Sequence, residues 1–341
     1  MAREGGTGRR SLVWLQSGGC GGCSISLLNA EMPDLMTALE IAGIELLWHP
    51  SLSEATGAEF LDLCARIVSG EQALDILCIE GAVVRGPHGT GRFHILSGTD
   101  LPMMEHIRRL AERAGTVVAA GSCAAFGGIS AGGGNPIEAT GLAFDGEEAG
   151  GFLGEGFRSR AGMPVVNIAG CPVHPAWVIE TLMQISAGSL TPPELDSLGR
   201  PRSTAGMLVH HGCPRNEFYE FKASAGKLSD MGCLMENLGC KGTQASADCN
   251  TRAWNGGGSC ISGGYPCIAC TEPGFEEPGH PFVETPKFAG IPVGLPIDMP
   301  KAWFVALSSL SKAATPNRLK QNAHSDHIKL LPARRSRGSK P

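Results

Sequence analysis

Two cysteines three residues apart lie in a glycine-rich turn near the start of the sequence, Ser17-Gly-Gly-Cys20-Gly-Gly-Cys23. A short apolar run precedes this turn, and a helical pattern begins directly after it, at Ser24. Thiolates at this spacing can bind one metal centre from the same side, and the glycines let backbone N–H groups approach it. Two ligands do not complete such a centre, so further ligands must come from elsewhere in the chain.

The elements that must position these cysteines follow an alternating pattern through the first half of the chain. Strands are predicted at residues 12–16, 44–49, 74–80, 116–120 and 164–169, and helices at 24–42 (interrupted near Pro33), 101–114 and 175–185. Strands that alternate with helices predict a parallel, doubly wound sheet of the α/β class. In such sheets ligands bind beyond the carboxyl ends of the strands.

Four cysteines come directly after three of these predicted strands. They are Cys20 and Cys23, Cys123, and Cys171. Because the carboxyl ends of parallel strands share one edge of the sheet, the sequence predicts that these four thiolates converge on one tetrahedral site. Cys64 and Cys78 fall inside apolar patterns instead and are predicted to be small buried side chains without a ligand role.

The second half of the chain has a different character, which begins near Thr191-Pro-Pro-Glu194. Apolar periodicity fades and seven cysteines follow: Cys213, Cys233, Cys240, Cys249, Cys260, Cys267 and Cys270. Metal–ligand bonds can hold such an irregular stretch together. We therefore predict a flexible N-terminus over 1–10, an α/β domain over 11–190, an irregular domain over 191–312, and a basic, disordered tail over 313–341.

The number of available ligands bears on the kind of metal centre. Eleven of the thirteen cysteines lie at turns or in the irregular region, and the pair His210-His211 precedes Cys213. Eleven thiols and one histidine of this pair make twelve ligands, enough for three four-iron clusters. Structural zinc is the alternative for any one cysteine pair. Twelve ligands spread over two domains favour iron–sulfur clusters.

Composition limits the class of partner and the compartment. The formal net charge of −5 and the pI near 6.1 give no reason to expect nucleic acid, and charged residues make up only 18% of the chain. A low charge with 48 glycines suits a protein that buries surface against a large partner. No apolar run approaches the roughly 18 residues of a membrane span. Arg9-Arg10 precede only a short apolar run that leads into Cys20, so we expect no export signal and a cytoplasmic protein with reduced thiols.

These motifs resemble the small, electron-transferring subunit of nickel–iron hydrogenases over about residues 11–300. The matching stretches are Gly19-Cys-Gly-Gly-Cys-Ser24, Ile79-Glu-Gly-Ala82, Gly121-Ser-Cys-Ala-Ala-Phe-Gly-Gly128, Gly170-Cys-Pro172, His210-His-Gly-Cys-Pro214, 233–240, and Pro266-Cys-Ile-Ala-Cys270. The resemblance implies a flavodoxin-like domain, an irregular iron–sulfur domain, three clusters in a line, and a partner large subunit that holds the nickel–iron centre.

The resemblance also implies a ligand set for each cluster. The proximal cluster takes Cys20, Cys23, Cys123 and Cys171; the distal cluster takes His210, Cys213, Cys233 and Cys240; the medial cluster takes Cys249, Cys260, Cys267 and Cys270. Many relatives have proline at the position of Cys260 and a three-iron medial cluster. The thiol here predicts a fourth iron and hence three 4Fe–4S clusters, with a 3Fe–4S medial cluster as the alternative. Gly22 and Gly128 replace the extra cysteines of oxygen-tolerant relatives, which implies an ordinary proximal cluster.

The activity implied is that of a hydrogenase, H2 = 2 H+ + 2 e−, with hydrogen cleaved in the partner subunit and no catalytic residue in this chain. The resemblance is greatest to the cytoplasmic, hydrogen-sensing branch, whose partners would be a sensor histidine kinase, bound through the C-terminal tail, and a second heterodimer. A cytoplasmic, energy-conserving uptake hydrogenase is the alternative. Glu80, at a strand end near the proximal site, is either a contributor to the subunit interface or proton network or a solvent-facing carboxylate.

Overall fold

The computed structural model describes residues 8–279 and 282–331. It forms two compact units, one of Met1–Gly206 with Cys270–His280 and one of Met207–Ala269 with Pro281–Pro341. The first unit therefore runs past the predicted boundary at residue 190 and includes a segment from late in the chain. Residues 1–7 and 332–341, which belong to the predicted flexible ends, lie outside the described residues.

A five-stranded parallel sheet forms the centre of the first unit. The strands of this unit are β1 Arg10–Gln16, β2 Ile44–Trp48, β3 Leu74–Glu80, β4 Val83–Val84, β5 Ala114–Ala120, β6 Ala139–Thr140, β7 Phe144–Asp145, β8 Glu148–Ala149 and β9 Val166–Ile168. The sheet order is β2-β1-β3-β5-β9, with every neighbouring pair parallel. Among the sheet's own five strands this is the order 2-1-3-4-5, the flavodoxin-like order. The predicted fold class is confirmed.

The described residues of the first unit also form seven α-helices, which lie between these strands or after the last of them. They are α1 Gly22–Leu28, α2 Leu35–Ile41, α3 Ala58–Ser69, α4 Met103–Arg113, α5 Ser122–Phe126, α6 Pro175–Ala187 and α7 Arg202–Ala205. The sequence prediction did not include α3, which buries Phe60, Leu63 and Ile67 on one face. That spacing of apolar residues is the helical signal that the prediction missed.

The core of the first unit lies on both faces of the sheet. Residues of β3 such as Ile76, Leu77 and Ile79 are fully buried, because helices cover both faces of a doubly wound sheet. Cys78 is also fully buried in β3, and Cys64 is 6% exposed in α3. Burial raises the pKa of the Cys64 thiol to about 11. Both cysteines are the small core residues that the sequence predicts.

A buried arginine ties the late segment to the rest of the first unit. Arg200 is 6% exposed, and its guanidinium bonds to Asp196 at 2.8 Å. The same group donates to the Thr271 carbonyl oxygen at 3.0 Å and to Glu272 Oε1 at 2.8 Å. The hydroxyl of Ser122 donates to the Cys270 carbonyl oxygen as well. The segment Cys270–His280 is thus part of the domain that carries the sheet.

The second unit has little regular structure in its described residues. Its elements are α8 Asn216–Glu220, the hairpin strands β10 Lys287–Phe288 and β11 Ile291–Pro292, α9 Lys301–Ala314 and α10 Asn317–Ala323. Most of the chain between α8 and β10 consists of turns and bends. This agrees with the irregular domain that the sequence predicts around the cysteines.

The chain after residue 313 differs from the disordered tail predicted for it. Leu319 and Ala323 of α10 are each 1% exposed, packed against aromatic side chains of the second unit. Asn322 Oδ1 accepts the Lys329 N–H at 2.8 Å, and Asn322 Nδ2 donates to the Leu330 carbonyl oxygen at 3.0 Å. The prediction of disorder is wrong for residues 313–331. A few apolar residues at helical spacing suffice to bury this short helix.

Within residues 8–279 and 282–331, no helix combines the length and the apolar character needed to cross a lipid bilayer.

Candidate metal centres

The four proximal cysteines lie where the fold places the carboxyl ends of three strands. Cys20 and Cys23 follow β1 at the start of α1, Cys123 follows β5 within α5, and Cys171 follows β9. Close backbone approaches pack this region around the sulfurs. A β-carbon added at Gly121 would lie 2.5 Å from the Cys23 sulfur, so only glycine fits there.

The four sulfurs interact electrostatically with one another. Burial, together with the charges of Cys123, Cys270 and Cys20, raises the pKa of the Cys171 thiol to about 12. Burial also raises the pKa of Cys23, and the charges of Glu80, Cys123 and Cys171 add to that shift. The structure therefore gathers the predicted proximal set. Thiols with such raised pKa values need a bound metal to hold them as thiolates.

The spacing of the sulfurs distinguishes a cluster from a single zinc ion. Four sulfurs at about 2.3 Å from one zinc would lie about 3.8 Å from one another. All thirteen cysteines are described, and among the described residues the group of three ligand atoms found within 4.8 Å of one another is His210, His211 and Asp298. No cysteine belongs to it. No three cysteine sulfurs of the described residues therefore lie as close to one another as the ligands of one zinc ion would.

Backbone N–H groups point at the proximal sulfurs. The Gly22 N–H donates to Cys20 Sγ at 3.4 Å, and the Val173 N–H donates to Cys23 Sγ at 3.5 Å. The N–H groups of Ile129 and Ser130 interact with the Cys123 sulfur and lower its pKa, which burial raises overall. Such N–H···S bonds tune the potential of an iron–sulfur cluster.

Glu80 holds the turn that carries Cys23. This carboxylate is 3% exposed at the end of β3, and its Oε1 accepts the N–H groups of Cys23 at 2.9 Å and Ser24 at 3.1 Å. Its Oε2 accepts from Trp14 Nε1 and Gln16 Nε2, each at 3.1 Å, and from the Ser24 hydroxyl at 2.5 Å. Glu80 is therefore not the solvent-facing carboxylate that the sequence left open. It fixes one wall of the proximal site.

The distal set surrounds a cavity in the second unit. Its lining includes all four predicted ligands: His210, Cys213, Cys233 and Cys240. Burial raises the pKa of the Cys233 thiol to about 12, and the charges of Cys240 and Cys213 contribute. The structure thus brings these residues together, although they come from separate loops of the chain.

The geometry favours His210 over His211 as the predicted histidine ligand, although Asp298 Oδ2 is bonded to Nε2 of both. His210 Nε2 bonds to Asp298 Oδ2 at 3.1 Å, while its Nδ1 is buried and has no hydrogen-bond partner in the described residues. The His210 side chain is 14% exposed, against 43% for His211. A metal-binding histidine typically has one nitrogen on the metal and the other held by a carboxylate or carbonyl. The orphaned Nδ1 fits a cluster iron, and Asp298 is the carboxylate, which sequence reasoning missed.

Two cations near the distal sulfurs were also missed. The Arg215 N–H donates to Cys213 Sγ at 3.4 Å, and its guanidinium is held by the carbonyl oxygens of Asp230 at 2.6 Å and Gly232 at 2.8 Å. Lys222 Nζ lies 3.7 Å from the centre of the Tyr219 ring. Neither has a local sequence signal, because each position depends on how the loops fold.

The predicted medial set is divided between the two units. Cys249, Cys260 and Cys267 belong to the second unit, and Cys270 belongs to the first. Cys267 Sγ accepts the Ala269 N–H at 3.4 Å, while Cys260 is exposed. The charge of Cys270 acts on Cys171 of the proximal set. The medial assignment stays a prediction.

Comparison with known proteins agrees with both halves of this description. Residues 20–185 match the family model of the NADH ubiquinone oxidoreductase 20 kDa subunit, and residues 206–283 match the model of the C-terminal part of the NiFe/NiFeSe hydrogenase small subunit. The F420 non-reducing hydrogenase II small subunit of Methanosarcina mazei is 34% identical, over 84% of this chain and 78% of its own length. The periplasmic NiFeSe hydrogenase small subunit of Desulfomicrobium baculatum is also 34% identical, over 81% of this chain and 88% of its own.

A solved structure extends the likeness to the fold. The Actinobacterial-type NiFe-hydrogenase from Ralstonia eutropha H16 superposes with a TM-score of 0.73 at 32% identity, covering 91% of this chain and 92% of that one. A doubly wound domain with cysteines at its strand ends, followed by an irregular cysteine-rich unit, defines an iron–sulfur electron-transfer subunit. The chain belongs to the family of nickel–iron hydrogenase small subunits. Members of this family hold iron–sulfur clusters and pair with a large subunit that contains the nickel–iron active site.

Proposed function

We propose that this chain relays electrons between the nickel–iron centre of its partner and an acceptor, through three 4Fe–4S clusters. The observation that carries the proposal is the proximal group: four thiols at the ends of three parallel strands, with backbone N–H groups directed at their sulfurs. The cavity around His210 and the distal cysteines supports a second cluster. The clusters supply one-electron redox chemistry, and this chain's residues hold them, exclude water and donate N–H···S bonds.

The number of irons tests the proposal, and Cys260 sets that number. Metal and sulfide analysis of the purified heterodimer is expected to give about twelve cluster irons per small subunit, four for each cluster. The Cys260→Pro variant is expected to give about eleven and to gain the electron paramagnetic resonance signal of an oxidised three-iron cluster, because one iron loses its thiolate.

A matched control separates this effect from damage to the fold. Cys64 is buried in α3 and has no ligand role, so Cys64→Ala should leave the iron count unchanged. A wild-type complex with eleven irons and a three-iron signal would contradict the assignment of Cys260. Zinc without iron would contradict the whole proposal.

We further propose, as the sequence predicts, that the complex is cytoplasmic and senses hydrogen, with a histidine kinase contacting the C-terminal tail and two heterodimers associating. Because α10 packs within the second unit, we place the contact with the kinase in the part of the chain that follows α10. The alternative that the sequence leaves open is a cytoplasmic, energy-conserving uptake hydrogenase.

Removal of residues 332–341 distinguishes the two roles while leaving the packed α10 in place. For a sensor, hydrogen-dependent gene expression in the host should be lost, while hydrogen-dependent dye reduction by the purified complex stays within about twofold of wild type. If gene expression is unchanged and growth on hydrogen fails instead, the sensing role is wrong and the uptake role stands.

A further inference from the structure

One short segment of the second unit joins the predicted distal set to the predicted medial set. Lys241 follows the distal residue Cys240, and its backbone N–H donates to the carbonyl oxygen of the medial residue Cys267 at 2.8 Å. The N–H groups of Gly242 and Cys267 interact with the Cys240 sulfur and lower its pKa, which burial raises overall. A β-carbon added at Gly242 would lie 3.7 Å from both Cys240 Sγ and Cys267 Cβ. Lys241 therefore lies between a residue of each set.

The side chain of Lys241 ends in a buried position without a partner. Its Nζ atom is buried and has no hydrogen-bond partner in the part of the chain that the structure describes. Lys312 of the same unit, by contrast, is paired with Glu236. Burying an ammonium group without a partner costs free energy, so buried charges are normally paired. The position of Lys241 thus points to an anion that the surrounding side chains do not provide.

The charges around Lys241 place this anion on the medial side. Burial lowers the pKa of the Lys241 ammonium group, while the negative charge of Cys267 raises it. The charge of Arg215 acts instead on the Cys240 sulfur, and Arg215 is itself affected by the charges of three distal thiols. Each set of predicted ligands therefore has its own cation, Arg215 for the distal set and Lys241 for the medial set.

We propose that Lys241 is the counter-cation of the medial cluster and raises the potential of that cluster within the relay. The inference rests on the proposed function, which places a cluster on Cys267. An iron–sulfur cluster held by thiolates carries a net negative charge, and reduction adds to it. A fixed positive charge beside the cluster stabilises the reduced form more than the oxidised form, so the potential rises. Lys241 acts by its charge alone, because an ammonium group has no lone pair for iron.

A redox titration of the purified heterodimer, followed by electron paramagnetic resonance, tests this role. Lys241→Met removes the charge and keeps an unbranched side chain of similar length, and Lys241→Gln is a second neutral variant. Each is expected to lower the equilibrium constant for reduction of one cluster about tenfold, which corresponds to about 59 mV for a one-electron couple. The same substitutions in the Cys260→Pro background identify that cluster, because the three-iron signal of the medial cluster should show the same shift.

Matched controls separate the charge of Lys241 from its packing. Lys241→Arg keeps a positive charge, so the same equilibrium constant should stay within about twofold of wild type. Lys227→Met removes an exposed lysine of the same unit and should change no potential.

The outcomes that contradict the role of Lys241 are distinct from those that contradict the relay. Unchanged potentials in both neutral variants, at wild-type iron content, would overturn the role, and so would an equally large shift in Lys241→Arg. If the neutral variants lose medial iron, retention of that iron in Lys241→Arg supports the role of the charge, and its loss there overturns it. A wild-type complex without iron–sulfur resonance signals would overturn the relay itself and this role with it.

Discussion

Replacement of Cys171 by serine is expected to lower hydrogen-dependent viologen reduction by the heterodimer more than about 100-fold. Loss of a group that merely supports a metal ligand typically costs 10–100-fold, and Cys171 would be a ligand itself. The charges of Cys123 and Cys20 act on the Cys171 thiol at the strand ends. Its loss would leave the proximal site with three of its four predicted ligands. Dye reduction and the cluster iron content of the purified complex are the measurements.

A second reaction separates a broken relay from an inactive partner. Exchange of deuterium between D2 and water needs no external electron acceptor, so it should persist wherever the large subunit is still intact. Cys78→Ala, a substitution of a fully buried cysteine without a ligand role, should retain both reactions and the iron. Full iron content and wild-type dye reduction in the Cys171→Ser variant would remove Cys171 from the ligand set.

Replacement of Glu80 by alanine is expected to lower the free energy of unfolding of this subunit, measured in the heterodimer, by about 3 kcal/mol or more. The five hydrogen-bond donors described above lose the Glu80 carboxylate as their acceptor, and each buried donor left unpaired costs roughly 1–3 kcal/mol. Two of those donors, the N–H groups of Cys23 and Ser24, set the position of the Cys23 turn. We therefore expect an altered proximal-cluster resonance signal together with the loss of stability.

Glu45 offers a matched control for this substitution. It lies on β2 of the same sheet, but it is exposed. Exposed substitutions of this kind usually change stability by less than about 0.5 kcal/mol. Thermal unfolding of the two variants side by side gives the comparison. If Glu80→Ala unfolds like Glu45→Ala and its resonance signal is unchanged, the positioning role of Glu80 is wrong.

The sheet could be predicted from the sequence because its signal is local. Each strand is a short apolar run that ends at a turn, and the predicted span 74–80 matches the observed β3 Leu74–Glu80. The positions of Cys20, Cys123 and Cys171 after such runs were enough to predict that they meet, since parallel strands end at one edge. The break near Pro33 likewise separates the observed helices α1 and α2.

What the sequence did not reveal depends on contacts between distant residues. Asp298 meets His210 from a loop far along the chain, and no spacing rule links the two. Glu80 was recognised as a strand-end carboxylate, but its burial follows from the turn that folds over it. The packing of α10 was missed because the apolar residues of that short segment, Leu319 and Ala323, are few and lie beside basic ones. Each of these features exists only once the chain has folded.

The late segment Cys270–His280 has a consequence for biosynthesis. A protein emerging from the ribosome generally folds one domain after another, beginning with the amino-terminal one. Here the contacts of Arg200 with Thr271 and Glu272 can form only after those two residues have been synthesised, so the amino-terminal domain is completed late in translation. A chain that stops at residue 206 would lack these contacts.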